Sequence, residues 1–185
     1  YATSPTGADH LEAAHDMPFE DGRWAVPDEY PIGILTGVPA RGLTPEKVSW
    51  FVQNQHIYSV LNTLSMCFFT VGPARLFRLK HLVDMIEGAS GWETSLHEIM
   101  LLGERTTTLA RQFNIREGFD RQVDCLPDRM FEPLETGSLT GVKLDRDEFE
   151  KALNTYYEMM GWDIATGAPR DAKLYQLNIK DLSKF

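Results

Sequence analysis

The chain has 185 residues, of which 43% are hydrophobic and 24% are charged, and this supplies enough apolar side chains for one or two small globular domains. Its net charge of −9 argues against a nucleic-acid surface, because phosphate binding requires a basic stripe. The sequence contains no apolar stretch of about 20 residues, as a membrane span requires, and it does not open on a secretory leader, so we expect a cytoplasmic protein.

The first 43 residues are rich in glycine and proline. Turn-forming stretches such as "SPTGADH", "PDEYPIG" and "GVPARG" predict a loop-rich segment there, separate from a helical domain over residues 44–185. Within the loop-rich segment we expect one short helix, over residues 10–15.

The longest predicted helix begins after Thr44, which can cap it, with Pro45 in the first turn. Its apolar side chains continue to Val71, where a Gly-Pro pair follows. A helix that is apolar on nearly all sides is typical of a buried, central position. A second helix is predicted over residues 74–87, ending at Gly88.

A third helix is predicted to begin after Ser95, which has capping-box spacing with Glu98. Residues 115–143 are predicted to be loops. A fourth helix should begin after Asp145 and end at Gly161, and a short last helix is expected over residues 172–177. Since no segment alternates like a strand, the sequence predicts an all-α, multihelical fold with long loops.

The two cysteines, Cys67 and Cys125, are expected to be reduced, because a domain of this size does not need a disulfide. From the residues alone, Cys67 is most simply a small buried apolar side chain in the central helix. The alternative is a thiolate that binds a soft metal or an iron–sulfur cluster. A cluster normally takes four thiolates, so the remaining ligands would lie outside this chain.

Two further polar features have both a structural and a functional interpretation. The stretch "ADHLEAAHD" brings together His10, Glu12 and His15, but the two histidines are five residues apart rather than the four of HExxH, which favours a solvated turn. Asn62 interrupts the central helix as either a core amide bonded to a loop or a ligand contact. If the helix continued, Asn62 and Met66 would share one face and Cys67 would point elsewhere.

The sequence contains no GxSxG, P-loop or GxGxxG motif, so a hydrolase, nucleotidase or dinucleotide-binding enzyme has no support. Four stretches instead resemble, in order, the C-terminal part of the tungsten-containing aldehyde ferredoxin oxidoreductase family. They are "YATSPTGADH", "LNTLSMCFFT", "LGERTTTLARQFNIREGFDRQVDCLPDRM" and "YYEMMGWD". The third is the most specific, because it is long and mixes charged, aromatic and turn residues.

The resemblance implies the helical C-terminal domains of an enzyme that oxidises aldehydes to carboxylic acids and transfers electrons to a ferredoxin-like carrier. Residues 1–43 would contribute to the cavity for a small-molecule substrate. The cofactors implied are a tungsten (or molybdenum) bis-pterin and a 4Fe-4S cluster. Because the N-terminal pterin-binding domain is absent from this chain, we expect an upstream segment or another subunit to supply it. We expect an oligomeric enzyme, and a fragment that is inactive alone.

The resemblance also implies roles for four residues. Cys67 corresponds to the fourth cysteine of the cluster, whose other three form a CxxCxxxC motif in the family. Asn62 stands where an acidic residue helps to hold a pterin, and Met66 stands at a second position next to a pterin. His10 corresponds to the active-site histidine near tungsten, and its implied role is proton transfer to or from the substrate oxygen.

Two positions depart from the family pattern, since Glu12 stands where a basic residue is common and Thr6 where an arginine is. Both departures remove positive charge near an anionic ligand. They leave open a tungsten subunit resembling class II benzoyl-CoA reductase and a helical scaffold subunit without catalytic activity. A small metal-binding protein that uses His10 and His15 is a third alternative.

Overall fold

The computed structural model describes residues 1–20, 22–23, 25–70 and 77–182. In these ranges the chain forms five α-helices, which are α1 (Pro45–Thr63), α2 (Leu79–Ser90), α3 (Leu96–Arg116), α4 (Arg146–Met160) and α5 (Asp171–Gln176). Short 3-10 turns lie at Met17–Phe19, Val26–Ile32, Phe68–Thr70, Arg121–Val123 and Asp128–Phe131. The described residues form no sheet, only an isolated bridge between Trp162 and Pro169. The predicted all-α class with long loops is confirmed.

Helix α1 is the centre of the fold, as predicted, because 12 of its 19 residues are buried. Thr44 caps it by accepting a hydrogen bond from the Lys47 amide, and Pro45 occupies its first turn. It packs against α3 on one side and α4 on another. The backbones of α1 and α3 touch at Gly103, where an added Cβ would lie 2.0 Å from the carbonyl oxygen of His56.

Helix α1 ends at Thr63, so the prediction that it continues to residue 71 is wrong over residues 64–70, and residue 71 lies outside the described ranges. Ser65 adopts a left-handed conformation with φ of 55°. Its amide donates to the Asn62 carbonyl at 3.1 Å, and the Met66 amide donates to the Leu61 carbonyl at 2.9 Å. These two bonds form a Schellman motif, in which Met66 folds back onto the cluster that contains Leu61.

The second helix lies later in the chain than predicted. It begins at Leu79, and the predicted residues 74–76 lie outside the described ranges. It passes through Gly88 and ends at Gly91, whose φ of 69° and amide bond to the Glu87 carbonyl at 2.8 Å stop the helix. Gly88 was a plausible stop in the sequence, but the left-handed cap belongs to the next glycine.

The later helix boundaries agree closely with the sequence. Ser95 and Glu98 form the predicted capping box at the start of α3. Asp145 caps α4 through a 3.0 Å bond from the Glu148 amide, and Gly161 ends it in the left-handed region. Helix α5 begins and ends one residue earlier than predicted. Residues 117–143 consist of loops and 3-10 turns.

The short helix predicted over residues 10–15 is wrong, since these residues form turns. The Asp9 carboxylate accepts a hydrogen bond from the Leu11 amide at 2.8 Å. This Asx turn offers the backbone an alternative to a helical bond. The segment is then held to α1 by an ion pair between Asp16 and Lys47 at 2.9 Å.

A buried arginine on α3 ties two distant loops to the helix core. The Arg111 guanidinium binds both oxygens of Asp124, at 2.9 and 2.7 Å, and donates to the Gly167 carbonyl at 2.9 Å. Tyr157 donates to the same carboxylate, and the Trp162 ring lies 5.4 Å from the guanidinium carbon. Arg111 and Asp124 both belong to the most specific of the four sequence stretches, which therefore encodes a packed ionic core.

Candidate functional site

The N-terminal segment, residues 1–16, lies along α1 and α3. The Thr3 carbonyl accepts a hydrogen bond from Gln55 at 3.4 Å, and the Pro5 carbonyl accepts one from Asn114 at 2.9 Å. Gln55 is itself fixed, because the buried Tyr156 hydroxyl donates to its side-chain oxygen at 2.8 Å. The backbone that leads to His10 is therefore attached to two helices of the core.

The turn that carries His10 meets the last turn of α1. The side-chain nitrogen of Asn62 lies 3.3 and 3.2 Å from the two carboxylate oxygens of Glu12, although the residues are 50 positions apart. The structure thus brings together the His10 turn and one of the predicted pterin contacts. Glu12 and Asn62 each differ from the family pattern in the sequence. Nothing in the sequence indicated that the two residues pair with each other.

His10 is exposed, and its ring centroid lies 5.9 Å from that of His15. Glu12, two residues further on, is partly buried. Burial raises the pKa of the Glu12 carboxyl, and the nearby charge of Asp9 raises it further, while the hydrogen bond from Asn62 opposes both effects. The turn therefore presents an imidazole and a carboxyl group of raised proton affinity at the same end of α1.

Asn62 is exposed, so its interpretation as a core amide is wrong, although it does bond to a neighbouring loop. Met66 is partly buried, and its side chain packs against a core cluster. Since α1 ends before Met66, the two residues do not share a helix face. The members of that cluster are Val60, Leu61, Leu82, Ile86 and Ile99.

Cys67 follows immediately after the Schellman motif, and its thiol is free and exposed. The interpretation of Cys67 as a buried apolar side chain is therefore wrong. Its carbonyl accepts hydrogen bonds from the Thr70 amide at 3.0 Å and the Thr70 hydroxyl at 2.6 Å, which holds the backbone in a tight turn. The next residue, Phe68, packs on the Tyr58 ring with centroids 5.6 Å apart. The thiol is thus displayed from a well-anchored turn.

The turn after Cys67 and the N-terminal segment meet at one apolar cluster. Phe68 and Ala14 both pack against the cluster of Ile57, Tyr58 and Leu79. Together with the contact between Glu12 and Asn62, this places the His10 turn, Asn62 and Cys67 around the C-terminal end of α1. No three His, Cys, Asp or Glu residues in the described ranges are arranged to hold a metal ion.

An exposed cysteine side chain fits a cluster ligand by its chemistry, because iron–sulfur clusters are held by cysteine sulfurs. Cys125 is also free and exposed, and it lies in the loop beside the buried Asp124. The sequence therefore supplies one thiol at the end of α1 and one in a different loop.

Three cavities lie elsewhere in the described part of the chain. The first, about 620 Å³, has mostly apolar walls from α1, α4 and the loop before α4. The second, about 480 Å³, lies between residues 1–8 and Arg111. The third, about 410 Å³, is lined by His56 and Glu104. None of the three is lined by His10, Asn62, Met66 or Cys67.

Sequence reasoning did not single out His56, which is buried on α1 beside Gly103 of α3. Burial lowers the pKa of its imidazole to about 4, and the nearby charge of Glu104 only partly opposes this. The imidazole is therefore neutral near pH 7. The local sequence around a histidine in a helix does not show whether its side chain is buried or exposed.

Comparison with known proteins identifies relatives over most of the chain. The tungsten-containing aldehyde ferredoxin oxidoreductase of Pyrococcus horikoshii is 29% identical over 143 residues, which is 75% of this chain and 22% of that protein. The aliphatic sulfonate oxidoreductase, WOR-like subunit, of Pyrococcus furiosus is 26% identical over 193 aligned positions, covering 100% of this chain and 25% of that protein. The chain thus spans about a quarter or less of the length of these relatives.

A solved structure shares the fold. The active site complex BamBC of benzoyl coenzyme A reductase, in complex with 1,5 dienoyl-CoA, superposes with a TM-score of 0.67 over 94% of this chain and 28% of that one. At 17% identity this likeness concerns the fold alone. Within the described ranges, none of the helices has the length and apolar character that crossing a membrane requires.

The sequence profile described as "Aldehyde ferredoxin oxidoreductase, domains 2 & 3" matches residues 1–179. The match covers the His10 turn, the end of α1 and the ionic core around Arg111, so the resemblance inferred from the four stretches is confirmed. The chain therefore belongs to the aldehyde ferredoxin oxidoreductase family and corresponds to the region described as its domains 2 and 3.

Proposed function

We propose that this chain is the C-terminal helical part of a tungsten-pterin, iron–sulfur oxidoreductase that oxidises aldehydes to carboxylic acids and passes the electrons to a ferredoxin-like carrier. The observation that carries the proposal is the grouping of the His10 turn, Asn62 and the exposed Cys67 thiol around one end of α1. Relatives named as tungsten-containing support the choice of metal. Residues 1–43 would form part of the substrate cavity.

Cys67 is proposed as one of four thiolate ligands of a 4Fe-4S cluster. Its exposure leaves the sulfur accessible to a group completed by residues outside this chain. The bonds from Thr70 and the packing of Phe68 fix the backbone on its C-terminal side, and the Schellman motif fixes the N-terminal side. A rigid ligand position reduces the reorganisation that accompanies electron transfer.

His10 is proposed to move the proton. Oxidation of an aldehyde and water to a carboxylic acid releases two protons and two electrons, so the site needs a proton acceptor. The bound tungsten-pterin would accept the two electrons, and the cluster would pass them on singly. The His10 imidazole is exposed and can take a proton on a ring nitrogen.

Asn62 and Met66 are proposed to lie on the pterin side of the site. Asn62 keeps hydrogen-bonding capacity without charge, and its exposed position at the end of α1 leaves it accessible to a ligand. The Met66 side chain is committed to core packing, so its part would be to shape the wall next to the pterin and to hold Cys67 in place.

A second candidate substrate class is an aliphatic sulfonate. One relative that aligns with the whole of this chain is the WOR-like subunit of an aliphatic sulfonate oxidoreductase, whereas the aldehyde ferredoxin oxidoreductase of Pyrococcus horikoshii aligns with 75% of it. The cofactors and the proposed roles of Cys67 and His10 would be the same for either substrate.

The experiment is elemental analysis of the complete protein that contains this chain, purified without oxygen. Tungsten or molybdenum with about four irons per protomer is expected. Cys67→Ala should abolish the cluster signal in electron paramagnetic resonance, and the matched variant Cys125→Ala should leave it intact. If the protein contained neither iron nor tungsten or molybdenum, the result would support the alternative of a scaffold subunit. An intact cluster signal in Cys67→Ala would reject the role of Cys67 as a ligand.

Substrate assays then separate the candidates. Ferredoxin or viologen reduction is measured with a panel of aldehydes and with aliphatic sulfonates. For an aromatic acyl-CoA, which would be reduced, the oxidation of reduced viologen is measured instead. We expect aldehyde activity that falls at least 100-fold in His10→Ala, since a general base contributes about 10²–10⁴ in rate. Activity with sulfonate or acyl-CoA alone would contradict the aldehyde assignment.

A further inference from the structure

The contact between Glu12 and Asn62 fixes which way the asparagine amide faces. A carboxylate only accepts hydrogen bonds, so the Asn62 nitrogen, at 3.3 and 3.2 Å from its two oxygens, must be the donor. The side-chain carbonyl oxygen of Asn62 consequently points away from Glu12. Among the described residues it accepts no hydrogen bond, so it is a free acceptor at the end of α1.

Both partners of this contact are anchored. The backbone carbonyl of Asn62 accepts a hydrogen bond from the Ser65 amide at 3.1 Å, within the Schellman motif. On the other side, the Asx turn of Asp9 holds the backbone just before Glu12, and Ala14 packs into the core just after it. The fold therefore holds the backbones that carry the two side chains next to each other, and the contact itself lies at the surface.

We propose that Glu12 is a positioning residue that presents the side-chain carbonyl oxygen of Asn62 as an acceptor to an N–H donor of the pterin. This inference rests on the proposed function, in which Asn62 lies beside the pterin. Pterins carry ring N–H and exocyclic amino groups, which are donors that an amide oxygen can bind. The arrangement also requires a neutral side chain at position 62, because a second carboxylate would face Glu12 and be repelled.

The test uses the complete protein and a readout other than activity. Tungsten and pterin retained per protomer are measured during dialysis, together with the melting temperatures of the cofactor-loaded and cofactor-free protein. The Glu12→Ala variant should lose tungsten about five-fold faster than the wild-type protein. This is the change in rate expected when one neutral hydrogen bond is lost. Glu12→Gln should retain it, since the glutamine oxygen still accepts from Asn62. Glu158→Ala, an exposed change on α4, is the matched control.

Changes at position 62 test the charge requirement. Asn62→Asp should lose tungsten faster than wild type, and Glu12→Gln combined with Asn62→Asp should recover part of the loss because one of the two facing charges is removed. A purely structural contact would lower both melting temperatures of Glu12→Ala equally and leave tungsten retention unchanged, which would overturn the inference alone. A wild-type protein without tungsten and pterin would overturn the proposed function and this inference together.

Discussion

Replacing Gly103 by alanine should separate the two central helices. The added Cβ would lie 2.0 Å from the His56 carbonyl oxygen, 2.6 Å from its carbonyl carbon and 2.9 Å from its Cα. All three atoms belong to the backbone of α1, so no side chain can rotate away. Atoms in contact normally lie roughly 3.5 Å apart, so α1 and α3 would have to move apart by about 1.5 Å.

The cost of this movement follows from the contacts between the two helices. Ser59 and Thr107 share a hydrogen bond of 2.8 Å, and Thr63 and Thr106 share one of 3.0 Å, and both would be lost. Overpacking costs about 1–3 kcal/mol, and each neutral bond contributes about 1 kcal/mol. Alanine returns about 1 kcal/mol through its helix preference. We expect Gly103→Ala to reduce the free energy of unfolding by about 3 kcal/mol.

The assay is hydrogen exchange of α1 and α3 peptides in the complete protein, because it reports local opening free energies. Gly88→Ala is the matched control, since nothing lies within 4 Å of the added Cβ on α2. That change should increase protection by about 0.5–1 kcal/mol, which is the helix preference of alanine alone. Equal effects of the two substitutions, or unchanged exchange in Gly103→Ala, would refute the close approach of α1 and α3.

Three other predictions concern stability. Ser65→Gly should stabilise the end of α1 by about 1 kcal/mol, because glycine adopts the left-handed conformation without the steric cost. Hydrogen exchange measures this, and lower protection of the last turn of α1 than in the wild-type protein would contradict the prediction. Arg111→Met should reduce the free energy of unfolding by about 3–5 kcal/mol, because the buried Asp124 carboxylate would lose its cation and, among the described residues, keep only the hydrogen bond from Tyr157. Adding Asp124→Asn should recover part of this loss, as measured by urea unfolding. Since the pKa of His56 is about 4 in the fold and higher when unfolded, the unfolded chain binds a proton first as the pH falls. Stability should decrease by up to about 3 kcal/mol between pH 6.5 and 4, and a His56→Leu variant that keeps the same pH profile would show that another group is responsible.

Local signals in the sequence determined where α1, α3 and α4 begin. Thr44, Ser95 and Asp145 each satisfy backbone amides within three residues of themselves, so their capping role does not depend on the rest of the fold. Gly161 ends α4 for the same kind of reason, because it alone tolerates the left-handed conformation there without strain. The all-α class and the family resemblance also follow from stretches that can be read along the chain.

The end of α1 could not be predicted from local sequence signals. The apolar run continues to residue 71, and serine is not a typical residue for the left-handed position. The helix stops at the Schellman motif, in which Met66 packs back onto the cluster around Leu61. That cluster also includes side chains of α2 and α3, which are not neighbours in sequence.

In the candidate site, too, some features could be predicted from the sequence and others depended on the tertiary structure. The family resemblance implied acid–base, pterin and cluster chemistry at His10, Asn62 and Cys67, whereas the residue types alone did not. Only the tertiary structure decided that Cys67 is exposed and that the amide of Asn62 is oriented by Glu12. Pairing across 50 residues depends on where the N-terminal segment crosses α1, and that path is set by long-range packing and hydrogen bonds rather than by local sequence preference.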